Sequence, residues 1–261
     1  KAQRHVRAEE FAQATILYRE ALFRFPKNKK AIQEYHNLKN LIASQNALNS
    51  EVSQEQVQEL IGLYEQGKFK EVLSKSKSLI HLFPKAVILY NLKGASSAAL
   101  KKYDEAIETY KQVLKIQPEY ADAYNNMANA LQQKGDLDEA IETYKQVLII
   151  QPEYAQAYTN MANALQQKGA LDEAIETCKR VLKIKPDFAE AFKLLGDFLK
   201  RKNNLSEAIA SYKMAIKIKP DYFEAHNNMG LVLQEQNELD AAIDSYKMAI
   251  KIKPSYLKAQ D

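Results

Sequence analysis

Proline falls at positions 26, 84, 118, 152, 186, 220 and 254, and from Pro84 onward every interval is 34 residues. A fixed period between about 20 and 50 residues marks a stacked-repeat architecture. A unit of that size cannot cover its own apolar face, so it must pack on a copy of itself. The period therefore constrains the fold before any single residue does. Aligned on these prolines, the units begin at Ser53, Val87, Ala121, Ala155, Ala189 and Phe223. The repetition is literal in one place, where MANALQQKG at 127–135 is written again at 161–169.

Each later unit reads as a pair of helices. In the unit from Ala121, Tyr124, Met127, Ala128 and Leu131 recur at helical spacing, and Gly135 follows as a left-handed stop. Asp138 and Glu139 suit the next helix N-terminus. Leu137, Ala140, Ile141, Tyr144, Val147 and Leu148 form its apolar stripe, and Pro152 forbids continuation. Only seven glycines occur in 261 residues, so helix breakers are confined to such junctions.

These residues resemble the tetratricopeptide repeat, and the likeness runs from 87 to 256 without interruption. An aromatic stands at the fourth place of the 34 (Tyr90, Tyr124, Tyr158 and Phe192, with His226 departing). Gly or Ala stands at the eighth (Gly94, Ala128, Ala162, Gly196, Gly230) and Ala at the twentieth (Ala106, Ala140, Ala174, Ala208, Ala242). An aromatic at the twenty-fourth (Tyr110, Tyr144, Tyr212, Tyr246) and the proline at the thirty-second complete the pattern. The resemblance implies an all-α fold, a right-handed superhelical α-solenoid of antiparallel helix pairs.

The pattern weakens toward the N-terminus. The unit from Ser53 has Gln56 at the aromatic place and Val72 where Ala is usual, while keeping Gly67, Leu73 and Pro84. Ala14, Tyr18, Ala21 and Pro26 resemble the second helix of a partial repeat. The expected organisation is a partial repeat and lone helix over 1–43, the helix itself at 30–43, and a polar linker over 44–52. Six units follow at 53–86 (degenerate), 87–120, 121–154, 155–188, 189–222 and 223–256, and a further helix starts at 257–261. With no initial Met and a stop in mid-pattern, the chain is expected to be a piece of a longer protein.

On a helix each residue advances about 100 degrees, which sets places 2, 5, 6, 9, 12 and 13 of the first helix opposite its packed stripe. In tetratricopeptide repeat proteins that side lines the concave groove. In the unit from Ala121 these places hold Asp122, Asn125, Asn126, Asn129, Gln132 and Gln133. In the next they hold Gln156, Thr159, Asn160, Asn163, Gln166 and Gln167. Each primary amide offers two donors and an acceptor that match a peptide unit, so the face suits an extended chain. Asn126, Asn160 and Asn228 share the sixth place, interrupted by Leu194, and this resembles the asparagine ladder of O-linked N-acetylglucosamine transferases, which binds protein backbone. The other reading is that these amides are neutral, soluble filler. Asn, a poor helix former, favours binding.

The unit from Ala189 changes character, with Lys193 and Asp197 facing the groove, and the last unit places Asn227 and Asn228 there. The basic clamp for a C-terminal carboxylate known in chaperone-type members is not expected, because the second place is Asp122, Gln156, Glu190 and Glu224. Toward the N-terminus the same places turn apolar, at Val57, Ile61, Tyr64, Ile88 and Leu92. This is either a partner site or the mark of a rotated helix covered by the lone helix.

The chemical features have structural readings. Cys178 stands at the tyrosine place, and the four histidines lack metal-ligand spacing, so neither metal nor cofactor is expected. KIKP at 183, 217 and 251 puts lysines at helix C-termini, where they complement the macrodipole. A formal charge of +4 without clustering argues against nucleic acid, and the short apolar runs argue against membrane insertion. A lone cysteine fits a reducing, cytoplasmic setting.

The expectation is a non-enzymatic scaffold that holds a protein or peptide in its groove, with self-association through open solenoid ends as a further mode. The alternative is the substrate-recruiting arm of a larger enzyme. For that, the N-terminal arrangement around FPKNKKAI is similar, more loosely, to bacterial repeats joined to glycosyltransferase or sulfotransferase domains.

Overall fold

The structure, a computed structural model, describes residues 17–18, 21–22, 28–48 and 52–255. Among the described residues there are thirteen helices and no strand. They are α1 (Lys29–Leu48), α2 (Gln54–Glu65), α3 (Phe69–Leu82), α4 (Val87–Ala99), α5 (Tyr103–Ile116), α6 (Ala121–Lys134) and α7 (Leu137–Ile150). There follow α8 (Ala155–Lys168), α9 (Leu171–Ile184), α10 (Ala189–Arg201), α11 (Leu205–Ile218), α12 (Phe223–Glu235) and α13 (Leu239–Ile252). The chain divides into two compact units, Lys1–Ser96 and Ser97–Asp261, and the division falls inside α4.

In the first unit α1 is longer than the lone helix expected at 30–43. It runs on to Leu48, so 44–48 are helical where a linker was expected. The extension Ser44–Leu48 contains neither Gly nor Pro, and polarity alone does not stop a helix. Ala14, Pro26 and 257–261 lie outside the described residues, but residues 17, 18, 21 and 22 are helical, and the Tyr18 hydroxyl donates to Glu34 at 2.8 Å. Gln56, which breaks the aromatic pattern, has a different task. Its backbone N–H donates to the Ser53 hydroxyl while its side chain accepts from the Ser53 N–H, each at 3.2 Å, a capping box that opens α2. The core of this unit is Leu60, Val72 and Leu89, with Leu63, Tyr64, Leu79, Phe83 and Leu92 around them.

In the second unit the helices pack in chain order, each on the next, as an all-α solenoid of antiparallel pairs. The twentieth-place alanines Ala106, Ala140, Ala174 and Ala208 are fully buried, and the short side chain lets neighbouring helices approach. The proline that gives the period sets the geometry at the end of each pair. A residue before proline is pushed out of the α region. Gln117, Gln151, Lys185, Lys219 and Lys253 accordingly cap their helices at φ between −135° and −126° with ψ between 82° and 89°.

The turn between paired helices needs a left-handed residue at the fifteenth place. Gly67, Gly135 and Gly169 supply it, and where glycine is absent Lys101, Asn203 and Asn237 adopt φ of 60–62°. Asn tolerates this region through local hydrogen bonding, whereas Lys gains nothing there. Lys101→Gly is expected to raise stability by about 1 kcal/mol, read as a higher midpoint in urea denaturation. A lower midpoint would mean that the Lys101 side chain contributes a contact worth more than the backbone strain.

An ion-pair ladder along the second unit escaped the sequence reading. Lys134 pairs with Asp104 at 2.9 Å, Lys168 with Asp138 at 2.5 Å, and Lys202 with Asp172. Each joins the fourteenth place of one repeat to the eighteenth of the preceding one. Gln236 ends it. All these groups are well exposed, so the ladder sets register rather than stability.

Candidate functional site

The first helices of four repeats, α6, α8, α10 and α12, carry the side chains singled out above. Asn125 is buried, and its Oδ1 accepts from Asn160 Nδ2 at 3.2 Å. The same Nδ2 donates to Asn129 Oδ1 at 3.1 Å, and Asn160 Oδ1 accepts from Gln156 at 3.2 Å. Asn129 Oδ1 also accepts the Tyr144 hydroxyl at 2.5 Å, and that hydroxyl lies 2.9 Å from Gln132 Oε1.

The arrangement recurs two repeats later with a carboxylate in place of an amide. Asp197 Oδ1 accepts from the Tyr212 hydroxyl and from Asn228 Nδ2, both at 2.8 Å, while Lys193 lies 3.0 Å from Oδ2. Asn227 donates to Asn228 Oδ1 at 3.4 Å. Lys193 and Asp197 thus neutralise each other. The ninth-place acceptor therefore joins two donors, the twenty-fourth-place tyrosine of its own repeat, read from sequence as a packing residue, and the sixth-place asparagine of the next. The signal in the sequence was the coincidence of Tyr at the twenty-fourth place with Asn or Asp at the ninth and Asn at the following sixth.

These tyrosines act as donors because they stay protonated. Burial pushes the Tyr144 phenol well above its ordinary range. For Tyr212 burial and then the Asp197 carboxylate push in the same direction. Tyr154 is pushed up to about 12, first by burial and then by Asp122, to which its hydroxyl donates at 2.6 Å.

The remaining groove amides stand apart from this network. Asn126, Asn163 and Gln166 are half-buried and Gln133 and Gln167 exposed, and their side chains have no hydrogen-bond partner among the described residues. In the repeat of Asn163 the linking tyrosine is Cys178, and the following sixth place is Leu194. Cys178 is buried, and burial followed by the field of Asp197 pushes its thiol up to about 12, which makes it inert at neutral pH.

In the N-terminal strip Tyr64 and Leu92 pack against the first unit's core, Val57 and Ile61 are half-buried, and Ile88 is exposed. Tyr64 also meets Phe69 edge-on at 5.2 Å. His226 takes over the aromatic place in hydrogen bonding too. Its Nε2 lies 3.1 Å from the Pro220 carbonyl, matching the Tyr90 hydroxyl, which donates to the Pro84 carbonyl at 2.9 Å. The basic residue before the proline lies over a ring at Lys185 with Phe188 and Lys219 with Tyr222. No helix among the described residues is long and apolar enough to cross a membrane.

Family models described as tetratricopeptide repeat match residues 94–135, 131–197, 196–237 and 223–256, a continuous span of more than half the chain. No curated protein matches the sequence at a significant level. Among solved structures, MamA is similar at 25% identity over 63% of this chain and 96% of its own, with a TM-score of 0.56. YrrB, described as a repeat protein with an unusual peptide-binding site, is similar at 19% identity over 70% of this chain and 94% of its own, with a TM-score of 0.52. A chain of the APC/C hetero-tetramer Cut9–Hcn1 is similar at 16% identity over 94% of this chain and 44% of that one, with a TM-score of 0.59. The looser resemblance to transferase-linked repeats draws no support from these matches.

Proposed function

The chain belongs to the tetratricopeptide repeat family, and from that premise we propose that it is an interaction scaffold holding an extended segment of a partner protein against the amide-lined face of α6 and α8. The observation that carries this reading is the set of groove amides left without a partner: Asn126, Asn163, Gln133, Gln166 and Gln167. A primary amide next to a peptide unit can donate to its carbonyl and accept from its N–H, independent of the side chains along the segment. The peptide-binding site described for YrrB, a protein of similar fold, supports a peptide as the ligand class.

The reading is tested with short linear peptides selected from a displayed random library against the whole chain. A recovered peptide, titrated into isotopically labelled protein, is expected to shift the side-chain amide resonances of Asn126, Asn163, Gln133 and Gln167. If no peptide binds, or if the shifts map to the exposed faces of α7 and α9, the proposal is wrong.

A further inference from the structure

Resting on the reading above, we propose that the groove amides divide by function: Asn129 and Asn160 fasten neighbouring repeats to each other, and Asn126 and Asn163 clasp the backbone of the bound segment. To hold a peptide unit from both sides an amide needs its acceptor and its donors open together. Asn129 lacks this, because its Oδ1 already accepts from Tyr144 and Asn160. Asn160 lacks it too, since Nδ2 donates twice and Oδ1 accepts from Gln156. Asp197, the equivalent of Asn129, is closed by Tyr212, Asn228 and Lys193.

Asn163 is open because both donors that close its counterparts have been replaced. Where Tyr144 and Tyr212 reach the ninth place, this repeat has Cys178, and where Asn160 and Asn228 reach back, it has Leu194. The local helix is otherwise a copy, since 161–169 repeats 127–135 residue for residue. The two substitutions therefore have one common effect, which is to free one amide in the middle of the second unit. Asn126 and Asn163 lie one helical turn outside Asn129 and Asn160 respectively, so the open amides flank the bonded pair on opposite sides. An extended segment laid across α6 and α8 meets an open amide, the closed pair, then an open amide.

The contacts that Asn163 lacks can be restored by substitution. Cys178→Tyr with Leu194→Asn is designed to rebuild on Asn163 the two donors that Asn129 accepts, and Ala162 stands at the eighth place as Ala128 does in the repeat of Tyr144. With the peptide recovered above as probe, the double variant is expected to bind about tenfold more weakly, like Asn163→Ala, with affinity read on the folded chain because the loss of buried Leu194 lowers its denaturation midpoint. Cys178→Tyr alone, should the double variant fail to fold, is expected to weaken binding several-fold. Asn129→Ala is expected to lower the midpoint and leave the affinity of the folded chain unchanged. An N-methyl group at the peptide N–H that meets Asn163 should weaken binding to the unaltered chain and have no effect with Asn163→Ala. Unchanged affinity in the reversal variants and in Asn163→Ala, with the peptide still bound in the groove, overturns the division but leaves the scaffold reading intact. Absence of any bound peptide removes both.

Discussion

Tyr212→Ala is expected to lower the unfolding free energy by about 3–5 kcal/mol, the range for emptying a fully buried aromatic site. The ring is completely buried, and it packs so closely on α10 that a Cβ built on Gly196 would lie 2.6 Å from it. Deleting it leaves a cavity that rigid helix pairs cannot close. The change also withdraws a donor from Asp197, which is shared with Asn228 of the following repeat, so a contact within one repeat and a contact between two are weakened together. In a solenoid, where stability is a sum of repeat and nearest-neighbour contributions, the second loss matters as much as the first. Urea denaturation followed by circular dichroism is expected to show a lower midpoint and a broadened transition as the pairs on either side of α11 come apart separately. Tyr212→Phe keeps the ring and removes only the hydroxyl, so it should cost about 1 kcal/mol. A Tyr212→Ala loss no greater than that of Tyr212→Phe would show that the hydroxyl, not the ring, holds this repeat.

The second large effect lies in the first unit, where Leu60→Ala is expected to cost about 2–5 kcal/mol. Leu60, Val72 and Leu89 are each fully buried and form one cluster, so removing the Leu60 side chain opens a cavity between them. This unit departs furthest from the repeat pattern, with Val72 at the alanine place, and Val72 packs on Leu60 where an alanine would leave a gap. Hydrogen exchange is expected to quicken first in α2 and α3 of the variant, with protection of α8 and α9 retained. Uniform loss of protection through α13 would instead mean that the chain unfolds as a single cooperative block.

Local rules account for most of what was legible beforehand. A proline every 34 residues, the preceding residue driven out of the α region, a left-handed residue at each fifteenth place and alanine at the twentieth place of the five later units require only knowledge of near neighbours in sequence. Gln56 is instructive in the other direction. As a missing aromatic it looked like decay, yet its partner is Ser53, only three residues away, and the capping box was readable had the aromatic place not drawn attention. The polar stretch 44–48 misled for a related reason, since solubility was mistaken for a break in the helix.

By itself the sequence determined the helix pairs, their period and the stacking that the period demands, because those depend on backbone sterics and on apolar faces repeated at a fixed interval. It also set the amides on the side of each first helix opposite the packed stripe. Which of them are open was decided only in the tertiary structure. Asn160 meets Asn129 across 31 positions of chain and Asn125 across 35, so their pairing depends on how one repeat is rotated against the next. Reading Asn126, Asn129, Asn160 and Asn163 as equivalent was reasonable on a helical wheel. A hydrogen bond fills a particular oxygen from a particular direction, however, and only the packed helices show that Cys178 and Leu194 leave one of those oxygens free.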